Sequence, residues 1–215
     1  MDTPPEETFD RLTRVASRVL KAPVALVSLV DDRRQFFKSL HGLADPWASD
    51  RETPLTHSFC QHVVATGRRL VVSNAPTHHL VSDNLAIPDL GVIAYAGMPL
   101  TTVEGETLGS FCAIDVVPRE WTDTELELLD VLAQAAMREV ELRSALRELQ
   151  LVSQLKDQVI GFASHELRTP LNGVMGALQI IEMEMEPGAD RKMVDIALTS
   201  SRRLLRLIND LLNVE

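Results

Sequence analysis

The carboxyl-terminal half of the chain carries side chains, most of them apolar, at alternating spacings of four and three residues. The first such series consists of Leu128, Leu132, Ala135, Glu139, Leu142, Leu146 and Leu149. This spacing predicts one long α-helix, beginning near Glu125, whose apolar seam packs lengthwise against another helix as a coiled coil. Because a helix with such a seam cannot bury it alone, the repeat also predicts a second copy of the chain as the partner.

The seam then changes phase, and two further series follow. The second series contains Ile160, Ser164, Leu167, Leu171, Val174, Leu178, Ile181 and Met185. Glu186, Pro187 and Gly188 predict the end of the helix. The third series contains Met193, Ala197, Ser200, Leu204, Leu207, Leu211 and Val214. Two such helices predict an all-α helical hairpin that two copies complete as a four-helix bundle. That the phase change acts as a switch is a hypothesis.

The second series surrounds a histidine with an unusual neighbourhood. His165 and Thr169 are four residues apart and share one helix face, and the register points His165 toward water. Pro170 has no N–H group and conflicts with the carbonyl of Glu166, so a kink or loosened turn is expected beside the histidine. An exposed neutral imidazole is a good nucleophile near neutral pH.

This stretch resembles the phosphoacceptor motif of the histidine kinases of two-component systems. The matching residues are Phe162, Ser164, His165, Glu166, Leu167, Arg168, Thr169, Pro170, Leu171 and Asn172. The resemblance implies a HisKA-type dimerisation and phosphotransfer domain over residues 161–215, with His165 as the phosphoacceptor.

The resemblance also implies roles for the neighbours of His165. Glu166 would orient the ring and accept its proton, and Thr169 would position a water that dephosphorylates a partner regulator. Two alternatives stay open, because the Thr169 hydroxyl can instead bond to the helix backbone and Glu166 can be an ordinary surface residue. For Arg168 we favour a plain surface position over a role in steadying phosphate charge.

The amino-terminal part of the chain predicts an α+β domain with an antiparallel sheet. Thr3, Pro4 and Glu6 form a helix-start pattern that includes a capping box, and Thr122 with Glu125 forms another. Between them we predict strands at 24–30, 35–40, 70–72, 92–100 and 108–116, a helix at 57–66, and loops at 44–56 and 74–90.

Residues 5–140 resemble a GAF domain. The resembling segments are 58–62, 70–75, 96–100 and 108–115. We therefore expect a GAF sensor domain at residues 1–140, a coiled-coil signalling helix at 141–160, and the phosphotransfer domain at 161–215. Members of this family bind small ligands or chromophores, or act only as dimerising spacers, and the ligand-binding residues of this chain are unknown from its sequence.

Cys60 and Cys112 are the only cysteines of the chain. Photosensory GAF domains attach bilins through cysteine, but a Cys-His dipeptide is absent, so we favour buried structural thiols. His57, Cys60 and His62 fall near metal-ligand spacing on the predicted helix, yet no fourth ligand is evident. We therefore predict no metal site.

Composition argues against several other classes of protein. The chain has 215 residues and a formal net charge of -10, which argues against nucleic-acid binding. It has no apolar run of about 18 residues, so no membrane span is expected. The acidic amino terminus does not resemble a signal peptide, and two cysteines suit a reducing compartment, so we expect a cytoplasmic protein.

Together these patterns predict the sensor and phosphoacceptor portion of a longer histidine kinase. It would form a homodimer, receive phosphate at His165 from ATP, and pass it to an aspartate of a response-regulator receiver domain. The asparagine-rich box and glycine lid of the ATP-binding kinase domain do not occur in the sequence, so ATP and Mg²⁺ would be used by that further domain, without which the chain should be inactive. The alternatives are a non-enzymatic phosphotransfer or scaffold dimer, and a ligand- or light-sensing GAF module whose bundle only dimerises.

Overall fold

A six-stranded antiparallel sheet forms the centre of the amino-terminal part of the chain. Its strands are β1 (Val24–Val30), β2 (Arg34–His41), β3 (Glu52–Pro54), β4 (Leu70–Val72), β5 (Ala94–Thr101) and β6 (Thr107–Asp115). Their order across the sheet is β3-β2-β1-β6-β5-β4, and every neighbouring pair is antiparallel. The predicted antiparallel α+β fold is therefore confirmed.

The computed structural model describes residues 5–184 and 189–212. Within it the chain separates into two compact units, Met1–Arg143 and Ser144–Glu215, here called the sheet unit and the helical unit. The helices are α1 (Glu7–Leu20), α2 (Trp47–Asp50), α3 (Cys60–Thr66), α4 (Ala86–Leu90), α5 (Asp123–Glu184) and α6 (Ala189–Leu212). Among these described helices, none combines the length and apolar content that a membrane span requires.

The strands β1 and β6 lie side by side at the middle of the sheet and are buried on both faces. Successive side chains of a strand point to opposite faces, so each of these strands contributes to two separate cores. Val27 and Phe111 face one core, which is covered by α1 and the first part of α5. Leu26 and Cys112 face the other core, which is covered by α3 and α4. This double burial explains why both strands read as nearly continuous apolar runs.

The predicted loop at 44–56 was wrong, because it contains α2 and the edge strand β3. Thr53 of β3 lies opposite Gln35 of β2 in the antiparallel ladder. A strand of three residues that ends at Pro54 carries no strand periodicity of its own. The pairing is supplied by β2, which is a tertiary contact that local sequence does not encode.

Two predicted helix starts also differ from the structure. Glu6 is the N-cap of α1 in an extended conformation and makes no side-chain bond to the helix, so it does not occupy the third helical position that the predicted capping box assigns to it. Its carboxylate instead pairs with Lys38 and Arg143. Thr3 and Pro4 lie outside the described residues. The helix predicted from residue 57 begins only at Cys60, after a 3₁₀ turn at Leu55–His57.

The capping box at the start of α5 is confirmed. The backbone N–H of Glu125 donates to Thr122 Oγ1 at 3.3 Å, and the backbone N–H of Thr122 donates to Glu125 Oε2 at 2.9 Å. Arg119 reinforces this end, because its guanidinium bonds to Glu125 Oε1 at 2.5 Å and to Asp115 Oδ2 at 3.0 Å. The same guanidinium donates to the carbonyl of Leu20 at the end of α1. The start of α5 is thus fastened to β6 and α1.

The first part of α5 does not form the coiled-coil seam that its spacing predicts. Leu132 is buried and Leu128 is partly buried in the core that α5 shares with the sheet. This core also takes side chains of α5 from between the seam positions: Leu126, Leu129, Ala133, Ala136 and Met137. From Leu142 through Leu149 the predicted seam residues are exposed. The exposed stretch of the seam therefore begins at Leu142, near the end of the sheet unit.

In the helical unit, α5 and α6 each bury one stripe of residues, here called the inner face. On α5 the inner face contains the half-buried or buried residues Ser164, Arg168, Leu171, Met175 and Leu178. On α6 it contains Val194, Leu198, Ser201, Leu205, Ile208 and Asn209. Arg168 Nη2 donates to Asn209 Oδ1 at 2.5 Å, so these two stripes face each other. The arrangement is consistent with the predicted helical hairpin.

A second apolar stripe, here called the outer seam, stays exposed beside the inner face. It consists of Leu167, Val174 and Ile181 on α5, and of Met193, Leu204 and Leu207 on α6. All six belong to the series predicted from the sequence. Ser164, Leu171 and Leu178 of the same series belong instead to the inner face. Met185 and Val214 lie outside the described residues, as does the predicted helix end at 186–188, and the side chain of Leu211 is also outside the description.

Replacement of Thr122 by Ala should lower the free energy of unfolding of the sheet unit by about 1 kcal/mol, because the first N–H groups of α5 lose an acceptor. Chemical denaturation followed by tryptophan fluorescence measures this change, since Trp121 lies next to the cap. The control is Thr124→Ala, which alters an exposed threonine in the same turn. An equal loss of stability in both variants would contradict the role of the Thr122 cap.

Candidate functional site

His165 lies on α5 with its side chain 75% exposed. The preceding residue, Ser164, is buried on the inner face, and this fixes the direction in which the next side chain points. Because adjacent helical residues project about 100° apart, His165 is turned away from α6 and toward water. The outward position predicted from the register agrees with this exposure. The ring is therefore accessible to a large reaction partner.

Glu166 approaches only one of the two ring nitrogens. Its Oε1 lies 3.5 Å from Nδ1 of His165, at the long limit of a hydrogen bond. The carboxylate is itself largely exposed, so the contact is weak in water and can shorten when solvent is displaced. A carboxylate at Nδ1 favours the tautomer with the proton on Nδ1, which leaves the lone pair on Nε2.

The Thr169 hydroxyl bonds to the helix backbone. Its Oγ1 donates to the carbonyl oxygen of His165 at 3.2 Å, as in the backbone-bonding alternative predicted from the sequence. One residue later, Pro170 lies inside α5, and the helix continues through it. Pro170 has no N–H group for the carbonyl of Glu166, so the backbone hydrogen bonding is interrupted directly below His165.

Arg168 does not extend toward His165. Its bond to Asn209 connects α5 to α6 across the inner face, in place of the plain surface position we favoured. The sequence contains one indication of this contact, because Arg168 lies four residues after the seam residue Ser164 and so shares its helix face. No such spacing indicated Asn209. The pair anchors the segment that carries the histidine.

The second core of the sheet unit contains both cysteines. Cys60, from α3, and Cys112, from β6, are free thiols and are buried, so the prediction of buried thiols is confirmed. Cys60 Sγ lies 3.3 Å from the hydroxyl of Tyr95, which in turn lies 3.1 Å from Ser110 Oγ. Gly97 permits this arrangement, because a Cβ there would lie 2.1 Å from the Tyr95 hydroxyl.

Hydrogen bonding makes the two thiols unequal. The hydrogen bond from Cys112 is the largest influence on Cys60, and it outweighs the opposing effect of burial. With further hydrogen bonds from Tyr95, Ser28 and Ser110, the pKa of the Cys60 thiol falls to about 7. The same thiol–thiol hydrogen bond, together with burial, raises the pKa of Cys112. Cys60 is therefore the more acidic and more nucleophilic of the two.

A small cavity of about 20 Å³ lies against both thiols. A cavity needs roughly 10–15 Å³ to hold one water molecule, so this one admits a molecule only slightly larger than water. A bilin attached to either cysteine would need a far larger space. In this conformation the interior of the sheet unit has no room there for a chromophore.

His57, Cys60 and His62 do not converge as metal ligands. The His57 ring lies between Asp89 Oδ2, 2.9 Å from Nε2, and Thr56 Oγ1, 3.0 Å from Nδ1. Cys60 faces the interior, whereas His62 is half-buried on the other side of α3, where burial lowers its pKa. Within residues 5–184 and 189–212, no group of three His, Cys, Asp or Glu side chains is placed to hold a metal ion.

Comparison with known families agrees with both parts of the structure. The sequence profile of the GAF domain matches residues 4–140, which is more than half of the chain. The profile of the His Kinase A (phospho-acceptor) domain, HisKA, matches residues 155–215. The chain belongs to the GAF domain family. Together with the HisKA match, this supports a GAF-HisKA sensor histidine kinase.

The chain is similar to parts of two curated proteins. A cyclic di-GMP phosphodiesterase of Pseudomonas aeruginosa is 32% identical over 142 residues, which are 65% of this chain and 23% of that protein. The sensor histidine kinase RcsC of Escherichia coli K12 is 37% identical over 87 residues, which are 40% of this chain and 9% of RcsC. The chain thus spans less than a quarter of the length of either relative.

A solved structure supports the fold. A domain of a putative two-component sensor histidine kinase from Sinorhizobium meliloti 1021 superimposes with a TM-score of 0.54 at 17% identity. The match covers 67% of this chain and 97% of that one. At this identity the similarity establishes the fold alone.

Replacement of Asn209 by Ala should lower the free energy of unfolding of the helical unit by about 1–2 kcal/mol, because the half-buried Arg168 guanidinium loses its acceptor. Circular dichroism during denaturation at a fixed protein concentration measures the effect. Asp210→Ala is the control, since it truncates an exposed neighbour on the same helix. Unchanged stability in the Asn209 variant would show that the contact contributes little.

Proposed function

We propose that this chain is the sensor and phosphoacceptor portion of a histidine kinase, in which His165 is phosphorylated from ATP and passes the phosphoryl group to an aspartate of a response regulator. The observation that carries this proposal is the exposed His165 ring with the carboxylate of Glu166 beside Nδ1. The match to the phosphoacceptor domain family supports it. A reaction that draws on ATP places the helical unit in the cytoplasm.

In the proposed reaction, Nε2 of His165 uses its lone pair to attack the γ-phosphorus of ATP. The new N–P bond forms as the bond from that phosphorus to the bridging oxygen breaks, and ADP leaves with the electron pair. Glu166 takes the proton from Nδ1, so the phosphorylated ring does not carry an added positive charge. An ATP-binding kinase domain outside this chain would supply the nucleotide with its Mg²⁺, and the chain alone would be inactive.

In the transfer to the response regulator, the imidazole is the leaving group. A carboxylate oxygen of the receiver aspartate attacks the phosphorus, the N–P bond breaks, and the ring recovers its lone pair.

Thr169 would act in the later removal of phosphate from the regulator, by positioning a water. For this role its hydroxyl would exchange its bond to the His165 carbonyl for a bond to that water.

The helical unit would function as a homodimer. The outer seam exposes six large apolar side chains along one stripe of α5 and α6, next to the inner face that the hairpin already buries. Two copies that join their outer seams would form a four-helix bundle, which buries the exposed stripes of both. The exposed His165 ring would remain on the outside of such a bundle, since it belongs neither to the inner face nor to the outer seam.

We also propose a division of the chain into a GAF sensor domain at 1–140, a signalling helix at 141–160 and the phosphotransfer domain at 161–215. The last buried residue of α5 in the sheet unit is Met137, which supports the first boundary. Between the two domains α5 exposes Leu142, Leu146 and Leu149. Pairing of these residues between two copies would let the GAF domain influence the helix that carries His165.

The phosphoacceptor role is tested by supplying a histidine-kinase ATP-binding domain and radiolabelled ATP. The unaltered chain should gain an acid-labile phosphate, and His165→Gln should gain none while it remains folded. Glu166→Gln should slow the reaction about 100-fold, because proton acceptance from Nδ1 is lost. His79→Gln and Glu148→Gln are the controls, since both residues are exposed and lie outside the site.

Thr169→Ala separates the two half-reactions in the same assay. It should leave the phosphorylation of His165 nearly unchanged and reduce the rate at which a phosphorylated regulator loses its phosphate. Persistent acid-labile phosphate on the His165→Gln chain would contradict the phosphoacceptor assignment. Equal regulator dephosphorylation with and without the Thr169 hydroxyl would contradict only the role of Thr169.

The dimer is tested by placing a charge in the outer seam. Leu207→Glu should convert the dimer into a monomer at micromolar concentration, because a carboxylate would have to be buried between helices. Sedimentation equilibrium measures the mass. Thr199→Glu is the matched control, since this exposed residue of α6 lies on the side opposite the apolar stripes. A monomeric unaltered chain, or a dimeric Leu207 variant, would argue against this interface.

A further inference from the structure

The two cysteines of the chain are both buried in the sheet unit and border one cavity, although 52 positions of sequence separate residues 60 and 112. Cys60 begins α3 and Cys112 lies in the middle of β6, and both border the same small cavity. No part of the proposed phosphotransfer reaction uses them. A pair of thiols against a shared cavity therefore calls for its own explanation.

The cavity also carries two buried polar atoms that the protein leaves without a partner. Among the described residues, neither Gln35 Oε1 nor Thr53 Oγ1 has a hydrogen-bond partner, and both side chains border the cavity. Gln35 and Thr53 are only 4% and 1% exposed. The amide of Gln35 is oriented by its NH₂ group, which donates to Ser28 Oγ at 3.1 Å. A buried unpartnered acceptor and hydroxyl cost stability unless something polar binds there.

We propose that this cavity is a hydrogen peroxide site, and that Cys60 and Cys112 are oxidised there to a disulfide. Peroxide is slightly larger than water and can both donate and accept hydrogen bonds, so it matches the size of the cavity and its two unpartnered polar atoms. The proposal concerns the GAF domain only and does not depend on the role of His165.

The chemistry balances without a further reactant. The Cys60 thiolate attacks one oxygen of the peroxide, the O–O bond breaks, and the departing hydroxide takes a proton to become water. Cys60 is then a sulfenic acid. The Cys112 sulfur attacks the Cys60 sulfur, the S–O bond breaks, and the second oxygen leaves as water with the Cys112 proton. Two thiols are oxidised and one peroxide is reduced to two waters.

The order of the two cysteines follows from their surroundings. Cys60 is the better nucleophile, because its hydrogen bonds with the Cys112 thiol and the Tyr95 hydroxyl lower the pKa of its thiol. Cys112 has the higher pKa and keeps its proton while Cys60 reacts with the peroxide, and it gives up that proton to the departing oxygen when its sulfur attacks Cys60. A disulfide would link α3 to β6 covalently inside the second core. The site would thereby convert a chemical signal into a change of packing within the GAF domain.

The test treats the full reduced chain with hydrogen peroxide, then unfolds it in an alkylating reagent and measures its intact mass. We expect loss of both alkylatable thiols within one chain and a mass lower by two hydrogen atoms. Cys112→Ser should stop at a sulfenic acid on Cys60 that dimedone captures. Cys60→Ser should leave Cys112 unoxidised under the same conditions. Two intact thiols in the unaltered chain would overturn the proposal.

A second measurement excludes oxidation through global unfolding. The rate with hydrogen peroxide is compared with the rate with bulky cumene hydroperoxide, both for the folded chain and for the chain in denaturant. Entry through the small cavity should make the preference for hydrogen peroxide at least about tenfold larger in the folded chain. Equal preferences in the two states would show that the thiols react only when exposed. Either failure would leave the phosphoacceptor proposal intact, since the readout is thiol oxidation.

Discussion

Burial of apolar side chains along the single helix α5 is the constraint on which the other features depend. In the sheet unit, α5 covers one face of the sheet with Leu129, Ala133 and Met137. In the helical unit, another stripe of the same helix lies against α6. The helix therefore serves different partners along its length, and its hydrophobic pattern changes phase between them. One uninterrupted seam could not pack against both the sheet and α6. With 3.6 residues per turn, a strict seven-residue repeat drifts gradually around a straight helix.

The candidate phosphoacceptor site is a consequence of the same burial. Ser164 lies on the inner face and Leu167 on the outer seam, so the side of the helix that faces away from both stripes is left to solvent, and His165 lies on that side. Glu166 reaches the near nitrogen of the ring, whereas Arg168 is held by Asn209. The helix thus fixes the backbone of the site rigidly on one side and leaves the ring free on the other. Positioning by a packed element, with an accessible reacting group, is what phosphoryl transfer between proteins requires.

The sheet unit presents a different kind of interior. Its second core is almost filled by side chains, yet it brings a tyrosine hydroxyl, two thiols and two unpartnered oxygens to one small space. Large-ligand binding, which is the expectation for many sensory domains, does not fit a space of this size. Chemistry on a molecule the size of peroxide does fit it. The size of this space therefore limits what the interior could bind more narrowly than membership of the GAF family does.

The sequence by itself determined the periodic features. It predicted the strands at 24–30 and 70–72, the cap at Thr122, the exposed direction of His165 and the two helices of the hairpin, because spacing and capping are local properties. Only the tertiary structure decided which contacts are made between distant residues. In the folded chain Leu132 packs in the sheet core and β3 pairs with β2. Arg168 bonds to Asn209, and Cys60 borders the same cavity as Cys112. These outcomes depend on which surfaces meet when the chain folds, and no short stretch of sequence carries that information.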